Sequence, residues 1–214
     1  MEIFKHLEPN RKQFDADPIG YSALAWYRWG LAQSLVGIPV DLEKPPTNKD
    51  LNSPVLWMTH AHAMSEAAIA VIKSNPNLDH IPINLSGVCD SQYCAVGLML
   101  FAYSLEISLK SMLILNHGID AYLSKEKKYR HHRLEKLAEF MPGLNDKDVA
   151  ILRALTHFSM WAGRYPDPGS GREQHSQEIF ELAEKNQITG KDLFQLGNKV
   201  IAHVDQIILE GKGS

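Results

Sequence analysis

Apolar positions along this chain recur at the spacing of α-helices. After residue 145, Ile151, Leu155 and Phe158 follow one another at intervals of three or four residues, which places them on one helical face. Nowhere do apolar and polar residues alternate over the length of a half-buried strand. The pattern therefore predicts an all-α protein, a helical bundle of about six to seven helices with one long central helix.

Capping and turn-forming residues divide this pattern into segments. Pro54 is expected in the first turn of a helix capped by Ser53. Gly118 is expected to end the longest helix in a left-handed conformation. The predicted helices run over about 19–35, 54–74, 90–117, 132–140, 146–164, 177–186 and 191–210.

The longest apolar stretch, Cys94 to Leu115, has the length of a membrane span. It carries Glu106 and Lys110, and two charges inside a bilayer are costly, so a buried core helix is the better interpretation. The two charges lie at i and i+4, about 40° apart around the helix axis. We expect them to pair with each other or with polar groups of a facing helix. Such a pair either defines the fold or contacts a ligand.

Composition and charge narrow the class of protein further. The chain has 214 residues, of which 44% are hydrophobic, and this suffices for one large domain with a real core. A net charge of -3 provides no overall attraction for nucleic acid or an anionic membrane. Two cysteines, Cys89 and Cys94, and a start without a continuous apolar run favour a reducing compartment. We expect a cytoplasmic protein with neither a membrane nor a DNA partner.

Three motifs follow one another in the second half of the chain. They are "SLEISLKSMLILNHG" at 104–118, "HHRLEKL" at 131–137 and "GRYPDP" at 163–168. Their order resembles the HEPN superfamily, whose helical bundles often carry a Leu-Glu and Leu-Lys helix, a His-x-Leu-x-x-Leu segment and an Arg-Tyr-Pro after a long helix. The resemblance covers about 90–210 and makes 1–214 a single HEPN-like domain, with 1–85 as an N-terminal helical addition.

The resemblance also implies a function. It indicates a helical binding module for a nucleotide or RNA, acting as a homodimer, or alternatively a metal-independent ribonuclease or toxin-like enzyme. The dimer has further support in the predicted helix 54–74, where apolar residues lie outside the main stripe: Ala61, Met64, Ala68 and Ile72.

The middle motif predicts a short helix. Leu134 and Leu137 are core anchors at helical spacing, and His132 precedes them at a position where an N-terminal cap or turn contact belongs.

The helix that ends in "GRYPDP" carries two stripes. A core face is predicted from seven positions: Ile151, Ala154, Leu155, Phe158, Trp161, Ala162 and Tyr165. A second face holds Arg153, His157, Met160 and Arg164. This second face suits a phosphate, because guanidinium groups match phosphate oxygens, and it equally suits a solvated surface. Candidate ligand-binding residues are therefore Arg164, Arg153 and His157, with Lys110.

Catalysis by an arginine and a histidine is the alternative. Ribonuclease members of the superfamily often separate these two residues by four to six positions, with a polar residue after the arginine. Arg153 and His157 have three residues between them, and the apolar Ala154 follows the arginine. Arg172 and His175 are separated by two. Arg153 and His157 thus remain candidates only, no catalytic residue is assigned, and enzymatic activity stays an open question.

Histidine spacing does not predict a metal site. On a helix, His60 and His62 point about 200° apart. His60 falls on an apolar stripe with Leu56, Ala63 and Ala67 and is expected in the core. His131 and His132 lack a cysteine or carboxylate at ligand spacing. No glycine-rich phosphate loop is present, so we expect neither a metal nor a cofactor.

Overall fold

The computed structural model describes the backbone of residues 2–211 and the side chains of residues 5–208. All regular secondary structure in this part of the chain is helical and no strand occurs in it, so the predicted all-α class is confirmed. The chain forms two compact units, Met1–Asn52 and Ser53–Ser214. This boundary differs from the predicted one near residues 85–90.

Short helices make up the first unit. The predicted helix 19–35 is interrupted at Leu24, and Asp17 caps its first half by accepting a hydrogen bond from the Gly20 amide at 2.9 Å. Thr47 and Asp50 form a reciprocal capping box at the last helix. The helices are α1 (Glu2–Leu7), α2 (Arg11–Ala16), α3 (Pro18–Ala23), α4 (Ala25–Leu35) and α5 (Asn48–Leu51).

The second unit is built around one long helix, as predicted. This helix, α7, begins at Ile83, earlier than expected, and ends at Gly118, whose φ of 78° confirms the expected stop. The elements are α6 (Pro54–Lys73), α7 (Ile83–His117), α8 (Ile119–Ser124), α9 (Glu126–Tyr129), α10 (Leu134–Leu137), α11 (Asp146–His157), a π-helix (Phe158–Ala162), α12 (Gln174–Lys185) and α13 (Gly190–Gly211).

Helix α7 supplies the centre of the core. Its buried apolar side chains contact those of α10, α11 and α13, and burial of each large one stabilises the fold by about 1.5 to 3 kcal/mol. The largest apolar side chains of this core that are almost completely buried are Leu109, Met112, Ile114, Leu134, Ile151, Leu152, Leu155, Leu196 and Val200. The core anchors predicted in the middle motif, Leu134 and Leu137, are among the buried residues.

Helix α6 packs along α7 through a face that the sequence did not predict. Ala61 and Ala68 are buried, whereas His60 is exposed, so the expected core position of His60 is wrong. Small residues form the contact: a Cβ added to Gly97 would lie 2.8 Å from the Ile72 side chain. Ser53 occupies the N-cap position without a side-chain hydrogen bond. Because the chain itself covers Ala61 and Ala68, these residues no longer support the homodimer, which stays a prediction.

Two segments are long and apolar enough to cross a membrane when judged by length and composition alone. They are Asn48–Lys73 and Ile83–His117, whose most apolar windows are 11% and 56% buried. A buried core helix passes the same test, and side chains of α7 form part of the hydrophobic core.

Candidate functional site

The charged pair of α7 lies inside the bundle. Lys110 Nζ donates to Glu106 Oε1 over 2.7 Å, and the two side chains are 12% and 7% exposed, which confirms the predicted pairing. The second carboxylate oxygen lies 2.9 Å from His132 Nδ1. Lys110, a predicted ligand contact, is therefore engaged within the protein.

His132 does not cap α10, contrary to the prediction. Arg133 occupies the N-cap position, and its side chain makes no capping bond. The Leu134 amide instead donates to Thr156 Oγ1 of α11 at 3.0 Å. A hydroxyl from a packed neighbour thus satisfies the helix start, and this leaves the imidazole free to join Glu106.

Tyr103 connects this buried pair to the π-helix. Its hydroxyl donates to the Ser159 carbonyl in the π-helix at 3.0 Å, and its ring stands edge-on to His132. Glu106 of the first motif and His132 of the middle motif therefore meet, and Tyr103 links them to the π-helix that precedes the third motif. Lys110 and His132 engage both carboxylate oxygens of Glu106, which indicates a structural role.

The π-helix changes the direction of the residues that follow it. Helix α11 ends at His157 rather than near Arg164, and the Gly163 amide bonds to the Phe158 carbonyl five residues earlier, at 3.2 Å. The wider turn shifts the helical register. Tyr165, predicted to close the core stripe, is consequently 59% exposed.

A groove of about 480 Å³ opens where the π-helix meets the Pro-Asp-Pro turn. The Asp167 carboxylate accepts from the Gly169 amide at 2.7 Å and holds the turn in shape. The start of α12 forms the opposite side. The lining comprises His157, Met160, Trp161, Tyr165, Pro166, Asp167, Pro168, Gly169, Arg172 and His175.

Two histidines and a glutamate meet at one side of this groove. Glu178 Oε2 lies 3.1 Å from His175 Nδ1 and 3.4 Å from His157 Nε2. His157 is 12% exposed at its side chain, whereas His175 and Glu178 are 38% and 46% exposed. The ring centres of the two imidazoles are 5.4 Å apart.

Neighbouring groups define the protonation of this cluster. The Trp161 indole N–H donates to His157 Nδ1 at 3.4 Å, so the proton of a neutral His157 ring lies on Nε2 and points at Glu178. Burial lowers the pKa of His157 despite the opposing charge of Glu178. The hydrogen bond from His175 lowers the pKa of Glu178. At neutral pH the cluster therefore contains a neutral His157 and an ionised carboxylate.

Arg172 adds a cation to the groove. Its side chain is exposed, and it has no ion-pair partner within the part of the chain that the structure describes. Trp161 and Tyr165 provide aromatic surface in the same groove. Cationic, titratable and aromatic groups thus share one opening.

The other predicted site residues lie outside this lining. Arg153 is exposed on α11, and Arg164 donates to the Met160 carbonyl and lies over the Tyr165 ring, 5.6 Å from its centre. Of the predicted basic row, only His157 and Met160 reach the groove. The π-helix explains the position of Arg164, because a row drawn for a regular α-helix cannot continue through it. Arg153 lies before the π-helix, one turn of α11 away from His157.

Three residues of this site are not among those predicted from the sequence to bind a ligand. They are Arg172, His175 and Glu178. The available signal was the spacing of His175 and Glu178 at i and i+3, which places them on one face of α12.

No family model, curated protein or solved structure matches this chain. The resemblance to the HEPN superfamily therefore stays a prediction carried by the three motifs.

Proposed function

We propose that the groove beside the Pro-Asp-Pro turn binds a phosphate group of a nucleotide or RNA, and that the protein is a HEPN-like binding module. The observation that carries this proposal is that Arg172 and His175 share the groove with the rings of Trp161 and Tyr165. A guanidinium matches phosphate oxygens, and exposed aromatic rings stack on nucleobases. The volume of about 480 Å³ suits a mononucleotide.

The charges near the groove are compatible with an anion. Asp167 is engaged by the Gly169 amide, and Glu178 lies beside two imidazoles. Arg172 is the cation of the lining without such an internal partner among the described residues. The Arg172 guanidinium can therefore form an ion pair with a bound phosphate.

Nucleotide affinity of matched arginine variants tests the proposal. Calorimetry with a mononucleotide panel and a short single-stranded RNA should detect binding. A charge-assisted contact contributes about 1.5 to 3 kcal/mol, so Arg172→Ala should weaken binding by roughly ten- to hundredfold. Arg153→Ala removes an exposed arginine outside the groove and should leave the affinity unchanged. Equal losses in both variants, or no binding at millimolar ligand, would refute the proposal.

A second candidate function is RNA cleavage without a metal. The specific observation is the pair of imidazoles beside an ionised carboxylate, because general acid–base catalysis of phosphodiester cleavage needs two proton-transfer groups. Cleavage of structured RNA or transfer RNA in excess EDTA, abolished by His175→Ala, would favour this activity over binding alone. Intact RNA after long incubation with the wild-type protein would exclude it for these substrates.

A further inference from the structure

We propose that His157, His175 and Glu178 form a binding site for a divalent transition-metal cation such as Zn²⁺. One donor atom from each of the three residues lies within 4.8 Å of the donor atoms of the other two. Two imidazoles and one carboxylate form a ligand set that Zn²⁺ and related cations use with an open position for water or substrate. The inference goes beyond the phosphate groove and does not rest on it.

The distances suit one small ion. Zn²⁺ binds histidine nitrogen and carboxylate oxygen at about 2.0 to 2.2 Å, which places neighbouring tetrahedral ligands about 3.4 Å apart. Glu178 Oε2 lies 3.4 Å from His157 Nε2 and 3.1 Å from His175 Nδ1. The cluster therefore needs little rearrangement to accept an ion.

Two different elements hold the three ligands in place. His175 and Glu178 lie at i and i+3 on α12, and His157 is the last residue of α11. Helical geometry thus fixes two of the three ligands, and the packing of α12 against α11 positions the third. His175 also lines the groove, so the open coordination position would face it.

Metal binding requires the neutral His157 ring to change its tautomer. The contact between His157 and Trp161 makes this change detectable by tryptophan fluorescence. In the metal-free protein His157 Nε2 carries the proton, and the ion needs the lone pair of that nitrogen. The proton must move to Nδ1, where the Trp161 N–H now donates over 3.4 Å. Two hydrogens cannot face each other at this distance, so the Trp161 contact must open. His175 faces Glu178 through Nδ1, so the lone pair of that nitrogen is the one offered to the ion.

Titration of the full chain with Zn²⁺ alone tests this site. The protein, free of any histidine tag, is first dialysed against EDTA and then against buffer. Calorimetry should give one ion per chain, accompanied by a change in tryptophan fluorescence. His175→Ala and Glu178→Gln should each weaken binding by at least about ten- to hundredfold. His60→Ala, which removes an exposed histidine of α6, is the matched control and should bind as the wild type does.

The variant Trp161→Phe removes the fluorescent side chain and leaves the three metal ligands in place. This variant should bind Zn²⁺ at least as tightly as the wild type, because no indole contact has to open, and it should lose the fluorescence change. Substitution of the mostly buried His157 would disturb packing, so the main variants are at the half-exposed His175 and Glu178, and circular dichroism checks their folding. Absence of stoichiometric binding, or binding that His175→Ala and Glu178→Gln leave intact, would overturn the proposal.

Arg172→Ala keeps the two proposals distinguishable. This variant should lose nucleotide affinity in EDTA and retain its affinity for Zn²⁺, so each proposal can be refuted without the other.

Zn²⁺ would also occupy the imidazole lone pairs that metal-free cleavage uses. Any EDTA-resistant cleavage of RNA should therefore be inhibited by one equivalent of Zn²⁺, and uninhibited cleavage would contradict ligation by the two histidines.

Discussion

Glu106 Oε2 lies 2.9 Å from His132 Nδ1, and this contact joins the middle of α7 to the segment that precedes α10. The other oxygen of the carboxylate accepts from Lys110 at 2.7 Å. One buried carboxylate therefore holds together a helix and a loop that are 26 residues apart in sequence. The buried carboxylate of Glu106 stabilises the fold only while Lys110 and His132 are present as its partners.

Removal of the Glu106 charge should destabilise the protein strongly. In Glu106→Gln the Lys110 ammonium stays buried without a counter-charge, and breaking a buried pair in this way costs about 3 to 5 kcal/mol. Urea denaturation followed by circular dichroism measures the loss. The double variant Glu106→Leu/Lys110→Leu leaves no unpaired charge and should lose less. A single variant as stable as the wild type would contradict the structural role of this pair.

Gly163 should not tolerate a side chain. A Cβ at this position would lie 2.3 Å from Met99 Cβ and 3.0 Å from the Ala95 carbonyl oxygen, so α7 and the end of the π-helix would have to separate. Overpacking of this kind costs about 1 to 3 kcal/mol, and Gly163→Ala should show this loss in urea denaturation. Gly190→Ala, where no atom lies within 4 Å of the added Cβ, should be neutral or slightly stabilising. Equal stability of both variants would refute the close approach.

Tyr122 should make the protein sensitive to alkali. Burial, assisted by the charges of Glu126 and Glu106, raises the pKa of Tyr122 to about 12. In the unfolded chain tyrosine loses its proton near pH 10. Between these values the folded state retains a proton that the unfolded state has released, so stability falls as the pH rises.

Phenylalanine at position 122 tests this linkage. Tyr122→Phe keeps the ring that stacks on Tyr129 and removes the titrating hydroxyl. The free energy of unfolding of this variant, measured between pH 9 and about 12, should decline less steeply than that of the wild type. Tyr27→Phe, at an exposed position, should keep the wild-type slope. A Tyr122→Phe variant with the wild-type slope would show that other groups cause the alkaline loss.

Arg164 should act at the helix end and not on the ligand. Its guanidinium donates to the Met160 carbonyl and lies over the Tyr165 ring, outside the groove lining. Exposed contacts of this kind contribute about 0.5 to 1.5 kcal/mol, so Arg164→Ala should lower the melting temperature modestly. Its nucleotide affinity should match that of the wild type. A tenfold loss of nucleotide affinity at unchanged stability would show that Arg164 contacts the ligand.

Several features could be predicted because they depend on residues close together in sequence. Helical periodicity decided the all-α class, and the almost continuous apolar character of α7 predicted its central position. Glu106 and Lys110 meet because they lie at i and i+4 on one helix. Gly118 ends α7 because the positive φ of that turn favours glycine. These features follow from local geometry, which the sequence determines directly.

The candidate site depended on tertiary structure. The sequence pattern placed Arg153, His157 and Arg164 in one row, but the π-helix shifts the register after His157 and takes Arg164 out of that row. His157 meets Glu178 because α12 packs against α11, and the turn between the two helices determines which side chains face each other. His132 likewise pairs with Glu106 because Thr156, far away in sequence, caps α10 in its place. Contacts of this kind depend on how separate helices pack, and the spacing within any one helix carries no information about them.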